Sequence, residues 1–239
     1  MGKKESVEIL NEELSKKHPI EILKYIEKNF GNKATFSTSL GAEDQVITHM
    51  LVNYAPSVNI FTLDTGRMFA ETYEVLNETV NKYNKEIKIF FPDKDQVEQM
   101  VNSKGINLFY QSMENRKLCC NIRKIQPLKR ALQGNDVWIT GIRKDQSVTR
   151  FFNTEAEWDE ENQIIKINPL LNWREKDVWD YIKENKVPYN KLHDKGFPSI
   201  GCQPCTRAVE KGGDFRSGRW WWETPDHKEC GIHNQEKSK

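Results

Sequence analysis

The sequence predicts an α/β fold built on a doubly wound, mostly parallel sheet. Three observations carry this expectation. Apolar runs of strand length alternate with amphipathic stretches of helix length. One run, Val58 to Leu63, is apolar almost throughout, as strands covered on both faces tend to be. The strand-to-helix junctions are short and contain Ser, Asp, Thr and Gly.

The elements follow in order. Pro19 suits the first position of a helix whose Ile22, Leu23, Ile26 and Phe30 share a face, and Gly31 ends it. Lys33 to Thr38 reads as a strand entering the loop Ser39-Leu40-Gly41. A helix over Ala42 to Tyr54 buries Val46, Ile47, Met50 and Leu51. The strand Val58 to Leu63 enters the turn Asp64-Thr65-Gly66. A further helix is expected to bury Phe69, Tyr73, Leu76 and Val80. Ile87 to Phe91 is a third strand, Val97 to Val101 belongs to a helix, and Met113 to Leu132 has helical character. Asp136 to Thr140 is a fourth strand, ending at Gly141. Phe151 to Ile167 reads as a polar loop and one short strand. Asn172 with Glu175 resembles a capping box opening a helix that buries Val178, Tyr181 and Ile182. From Pro188 the periodicity is lost. The expected organisation is a helical segment over 1–30, a nucleotide-binding α/β domain over 31–200, and a cysteine-bearing loop and tail over 201–239.

Composition narrows the function. The chain has 239 residues, enough for a core that needs no disulfide. Lys plus Arg number 36 and Asp plus Glu 35, a net charge of +1 that offers no bulk attraction to nucleic acid. The opening MGKKESVEILNEEL lacks the apolar core of a secretory signal, and no run suits a membrane span. The five cysteines are odd in number and do not read as a disulfide framework. A cytoplasmic protein with reduced thiols is expected.

In doubly wound sheets, ligands bind outside the carboxyl ends of the strands. Ser37-Thr38-Ser39-Leu40-Gly41 is such a loop. Its hydroxyls and backbone N–H groups suit an oxyanion, and Gly41 permits close approach. No Gly-Lys-Ser/Thr follows, so it is not a Walker loop. Glu43 and Asp44 suit the first turn of the next helix by its dipole. The loop from Leu63 through Asp64 to Arg67 is a candidate nucleoside contact; a plain turn is the alternative.

The cysteines divide into four and one. Cys202-Gln203-Pro204-Cys205 is a C-x-x-C loop, whereas Cys119 and Cys120 are adjacent. Adjacent side chains on a helix diverge by about 100°. That suits separate irons of a cubane better than one tetrahedral zinc, which is the runner-up. Arg123, Lys124, Arg143, Lys144, Arg207, Arg216 and Arg219 recur near these features, and guanidinium groups grip phosphate or sulfate bidentately. Trp220, Trp221 and Trp222 cannot all face one core. Cys230 lies in His-Lys-Glu-Cys-Gly-Ile-His beside cations that favour a thiolate.

Taken together, these motifs resemble the thioredoxin-dependent assimilatory sulfonucleotide reductases, in their iron–sulfur adenylylsulfate (APS) reductase branch. The resemblance runs from about Thr35 to His233. It rests on Ser-Thr-Ser-Leu-Gly-Ala-Glu-Asp, Leu-Asp-Thr-Gly-Arg, Cys-Cys-x-x-Arg-Lys-x-x-Pro-Leu, Gly-Ile-Arg-Lys-Asp-Gln-Ser, Ser-Ile-Gly-Cys-Gln-Pro-Cys-Thr, Arg-Ser-Gly-Arg-Trp-Trp-Trp-Glu and Glu-Cys-Gly-Ile-His. It implies an adenine nucleotide α-hydrolase-like fold, Cys230 as nucleophile, and a [4Fe–4S] cluster on Cys119, Cys120, Cys202 and Cys205. Lys124, Arg143, Arg216 and Arg219, with Ser37 and Ser39, would hold the phosphosulfate. Gly41, Asp64 and His233 complete the candidate substrate set. A thioredoxin or glutaredoxin-like dithiol would be the partner, and a homo-oligomer is left open. Where the family tail commonly has Thr two residues before the nucleophile, this chain has Lys228. Competing readings are use of 3′-phosphoadenylylsulfate (PAPS), alone or alongside APS, a tRNA-thiolating enzyme, and a zinc-binding module without catalysis.

Overall fold

The computed structural model describes residues 5–146, 150–210 and 212–223. Eight α-helices and six strands are formed among them: α1 (Ser6–Leu14), α2 (Pro19–Asn29), β1 (Ala34–Thr38), α3 (Ala42–Tyr54), β2 (Asn59–Leu63), α4 (Ala70–Tyr83), β3 (Lys88–Phe90), α5 (Lys94–Lys104), α6 (Met113–Cys120), α7 (Gln126–Leu132), β4 (Val137–Ile139), β5 (Ala156–Asp159), β6 (Ile164–Ile167) and α8 (Glu175–Glu184). The strand order is β3-β2-β1-β4-β6-β5. β1 runs parallel to both β2 and β4, β4 runs parallel to β6, and β5 runs antiparallel to β6. The order turns outward from β1 in both directions, which is the doubly wound pattern. No helix among the described residues is long and apolar enough to cross a membrane.

The chain divides into two compact units, each assembled from separate stretches. The first comprises 1–62, 71–88 and 134–191; the second comprises 63–70, 89–133 and 192–239. The first unit has a core of β1, β2, β4 and β6 residues such as Phe36, Ile60, Val137 and Ile167, packed with Ile22, Leu23 and Ile26 of α2 and Val46, Ile47 and Met50 of α3. His18 caps α2 by accepting the Ile20 N–H at 3.3 Å, with Pro19 behind it. The second unit has its own core of Met100, Leu108, Phe109, Ile122, Cys205 and Trp220.

Several elements differ from the expectation. Phe69 is buried as expected, and Leu76 and Val80 pack half-buried against the core, but the buried face of α4 is Thr72, Val75 and Thr79, and Tyr73 is exposed. A polar lock selects this face: Gln45 Nε2 donates to Thr79 Oγ1 at 2.7 Å and Asn190 Nδ2 to Thr72 Oγ1 at 3.1 Å. The stretch read as a loop and one strand is a hairpin, β5–β6. Helix α8 opens at Glu175, where the Asp177 carboxylate accepts the Arg174 N–H at 2.9 Å. Asn172 instead donates to Glu155 Oε1 at 2.8 Å. The helical stretch holding the adjacent cysteines is not uniform. Between α6 and α7, Asn121–Ile125 forms a π-helical turn, a rare form enriched at functional sites.

Candidate functional site

In the first unit, the loop after β1 is shaped by Leu40 and Asp44. Leu40 takes φ +62°, in the left-handed region, and its N–H bonds Thr38 Oγ1 at 3.0 Å. Gly41 has φ −76° and serves as the extended N-cap of α3. The left-handed position therefore falls on Leu40 rather than on the glycine. Asp44 Oδ2 accepts both the Ser39 N–H at 2.5 Å and the Ser39 hydroxyl at 2.6 Å. Its carboxyl is buried, and burial is the main reason its pKa is pushed up to about 6; the two Ser39 bonds pull the other way. Gly141 is a close approach of the same kind, since a Cβ there would lie 2.2 Å from Asp44 Oδ1. Ser37 Oγ accepts the Trp138 indole N–H at 2.8 Å.

Arg143 is 1 % exposed, and its guanidinium is engaged by carboxylates. Its Nε and Nη2 reach Glu43 Oε1 at 2.8 Å each, and Nη1 pairs with Asp145. Gln146 Nε2 also donates to Glu43 Oε1, at 3.0 Å. Two carboxylates hold the guanidinium plane, so Arg143 is a fixed donor fork of largely compensated charge. The dipole explanation for Glu43 and Asp44 is incomplete: one orients Arg143 and the other orders the Ser39 backbone.

In the second unit, Cys119, Cys120, Cys202 and Cys205 line one cavity together with Arg67, Arg116, Arg123, Lys124, Arg219 and Trp220. None of the four is in a disulfide. Burial and the neighbouring cations pull these thiols in opposite directions. Burial raises the Cys205 thiol to about 12 and also raises Cys119. At Cys202 burial again opposes ionisation, yet Lys124, the Thr65 hydroxyl, Arg219 and Arg123 together bring its pKa below the usual thiol value. Thr65 Oγ1 lies 3.2 Å from Cys202 Sγ, while Arg123 Nη1 donates to the Thr65 carbonyl at 2.6 Å. Gln203 N–H bonds the Arg67 carbonyl at 2.8 Å. The Asp64-Thr65-Gly66-Arg67 turn is thereby clipped to the cysteine loop. Within the turn, Asp64 Oδ1 accepts the Gly66 N–H at 2.7 Å, and Gly66 takes φ +70°.

Lys124 reaches the cavity from the π-helical turn. Arg219 follows a short turn in which the Arg216 N–H bonds Asp214 Oδ1 at 2.9 Å. Gly201 makes room for Arg219, because a Cβ there would lie 2.2 Å from Nη2. Trp220 is buried, and Arg116 and Arg219 lie over its ring at 4.8 and 4.9 Å. Trp221 and Trp222 are only partly buried. Cys230 and His233 lie outside the described residues.

The sequence reading did not name Arg116, and it gave no individual role to Thr65, Gly141 or Glu223. Arg116 had a usable signal, since it precedes Cys119 and Cys120 by three and four residues on one helix face. The Arg116–Glu223 pairing spans 107 positions and leaves no mark in local spacing.

The four thiols line a cavity; among the described residues, no three His, Cys, Asp or Glu side chains are grouped to hold a single metal ion. The donor set still suits a polynuclear metal–sulfur core, which four thiolates would hold as an anionic assembly. Five cationic side chains border the recess, so the charge the four sulfurs would take on as thiolate ligands has compensating positive charge at hand.

A model of the phosphoadenosine phosphosulfate reductase domain matches residues 33–208. The chain belongs to that family. It is 46% identical over 217 residues to the adenosine 5′-phosphosulfate reductase of Allochromatium vinosum, covering 91% of this chain and 84% of that one. It is 50% identical over 202 residues to the adenosine 5′-phosphosulfate reductase of Burkholderia cepacia, covering 84% and 81%. Among solved structures, a phosphoadenylyl-sulfate reductase from Candida auris in complex with phosphate superposes with TM-score 0.74 at 32% identity, over 86% of this chain and 97% of that one. An FMN adenylyltransferase from Candida glabrata, 17% identical with TM-score 0.55 over 82% and 68%, shares the fold alone. The adenine nucleotide α-hydrolase-like fold and the doubly wound sheet are thus as the sequence implies.

Proposed function

We propose that this protein is a cytoplasmic sulfonucleotide reductase of sulfate assimilation. It converts adenosine 5′-phosphosulfate to sulfite and AMP at the expense of a thioredoxin-like dithiol. The observation that carries the reading is the cavity where Cys119, Cys120, Cys202 and Cys205 meet Arg123, Lys124 and Arg219. It sits in a chain whose relatives at 46–50% identity are named adenosine 5′-phosphosulfate reductases.

Cys230 is the nucleophile. Its thiolate attacks the sulfate sulfur, the S–O bond to the phosphate breaks, and AMP leaves with the electron pair. An S-sulfocysteine remains. A thiolate of the dithiol then attacks Cys230 Sγ, a mixed disulfide forms, and sulfite departs with the S–S electron pair. The second thiol of the partner releases Cys230 and leaves the partner oxidised. Two electrons pass from dithiol to sulfur, so the thiols alone balance the reaction.

Lys124, Arg143, Arg216 and Arg219, with Ser37 and Ser39, meet the phosphosulfate and the charge growing on the leaving phosphate. Arg143 does so with its plane held by Glu43 and Asp145. Gly41, Asp64 and His233 complete the nucleotide contacts. Cys119, Cys120, Cys202 and Cys205 would hold a [4Fe–4S] cluster, which when bound supplies fixed charge beside the anion-binding cations.

The C. auris structure gives 3′-phosphoadenylylsulfate a hearing as substrate, alone or alongside the first. The experiment is sulfite release from the two nucleotides with thioredoxin as reductant. Faster turnover of adenosine 5′-phosphosulfate is expected. Equal use or the reverse preference would overturn that specificity, and no release from either would overturn the reading.

A further inference from the structure

We propose that Trp138 is a positioning residue: its indole N–H occupies the oxygen of Ser37 and leaves the Ser37 hydroxyl hydrogen to donate to the nucleotide's phosphate. The inference rests on the reading of this chain as a sulfonucleotide reductase. It goes beyond that reading by giving the two serines of the loop after β1 different tasks. Trp138 lies on β4 and pairs in register with Thr35 of β1. Side chains alternate along a strand, so Thr35 and Ser37 share a face with Trp138, while Phe36 and Ile139 turn to the core on the other. The Trp138 side chain is fully buried, and its Nε1 donates to Ser37 Oγ at 2.8 Å.

An indole nitrogen donates and never accepts. The hydrogen of the Ser37 hydroxyl therefore cannot be spent on Trp138, and it has no acceptor among the described residues. With one side of the oxygen taken, that hydrogen is turned away from the indole and is available to an oxygen brought from outside. Ser37 is the last residue but one of β1, at the strand end where ligands of such sheets bind, and it is only half-buried.

Ser39 is the opposite case. Its N–H and its hydroxyl both donate to Asp44 Oδ2, at 2.5 and 2.6 Å. At about pH 8, well above the Asp44 pKa of about 6, the carboxylate only accepts, so the hydrogen between the two oxygens belongs to Ser39. That hydrogen is then committed inward, and so is the backbone N–H. Ser39 serves the site by fixing the loop. Ser37 supplies the hydrogen bond to the phosphate, on which negative charge grows as AMP leaves.

The test is calorimetric titration of the whole protein with AMP and, separately, with adenosine. The variants are Ser37→Ala, Ser39→Ala and a chain with Trp138 replaced by benzothienylalanine, an isostere with sulfur in place of the indole N–H. Ser37→Ala should weaken AMP binding about tenfold, as loss of a hydrogen bond to a charged group does, and the isostere about threefold. Adenosine affinity should stay as in wild type, whereas a role confined to packing would weaken both ligands alike. In a Ser37→Ala background the isostere should cost nothing further, because the two act through one bond. Ser39→Ala should weaken AMP binding less than Ser37→Ala does. Unchanged AMP affinity in Ser37→Ala or with the isostere would overturn the proposal, as would equal losses for AMP and adenosine or a larger loss in Ser39→Ala. Should the isostere chain not fold, wild-type protein decides. The indole N–H resonance that moves in Ser37→Ala should also move on adding AMP and not on adding adenosine; a resonance that stays put with AMP would overturn the proposal. If wild-type protein binds no AMP at all, it is the sulfonucleotide reading that fails, and this proposal with it.

Discussion

Asp44 is the residue at which local geometry and pH meet. Its carboxylate closes the loop after β1 by accepting two bonds from Ser39, yet burial holds its pKa near 6 rather than in the ordinary carboxylate range. A carboxyl with a raised folded-state pKa binds its proton more tightly folded than unfolded. Its contribution to stability is therefore fully present below about pH 4 and is lost as pH rises through about 6. The shift corresponds to roughly 3 kcal/mol. Thermal unfolding between pH 4 and 7 should show this slope in wild-type protein and its loss in Asp44→Asn. An identical slope in both would contradict the assignment. The cysteines are the opposite case. Their division into an adjacent pair, a C-x-x-C and a lone thiol was legible from spacing alone. The partners of Asp44, Arg143 and Arg116 were not, because each is fixed by chain segments far apart in sequence.

Among elements, the long periodic helices were the most legible. Helix α3 runs over Ala42–Tyr54 as its apolar spacing implies. The hairpin β5–β6 was half missed because β5 reads Ala-Glu-Trp-Asp, two acidic residues in four, against the usual strand preference. One of the two acids, Glu157, has a structural reason. Glu157 stands opposite Lys166 in the antiparallel register, and Lys166 Nζ lies 2.8 Å from Glu157 Oε2 with both side chains nearly buried. Replacing Lys166 by Met strands a buried carboxylate and should cost about 3 kcal/mol. The double replacement Lys166→Met with Glu157→Leu should recover most of that loss. Urea unfolding midpoints test both; a Lys166→Met midpoint equal to wild type would contradict a structural role for this pair.

At the scale of the whole molecule, alternating strands and helices announced the doubly wound sheet, and order and spacing of motifs announced the family. The two compact units were beyond a sequence reading, since each is assembled from separate stretches whose association depends on long-range contacts. The near-zero net charge acquires a physical meaning here. Five of the chain's 36 Lys and Arg side chains, Arg67, Arg116, Arg123, Lys124 and Arg219, gather around four thiols in one cavity of the second unit. The central claim is chemical: one cysteine outside that set carries sulfur. It is tested most directly by incubating the protein with adenosine 5′-phosphosulfate without reductant and mapping adducts by peptide mass spectrometry. The account predicts a single sulfonate on Cys230, released as sulfite when thioredoxin is added and absent in Cys230→Ser. A sulfonate on any of the other four cysteines, or sulfite release that survives Cys230→Ser, would contradict it.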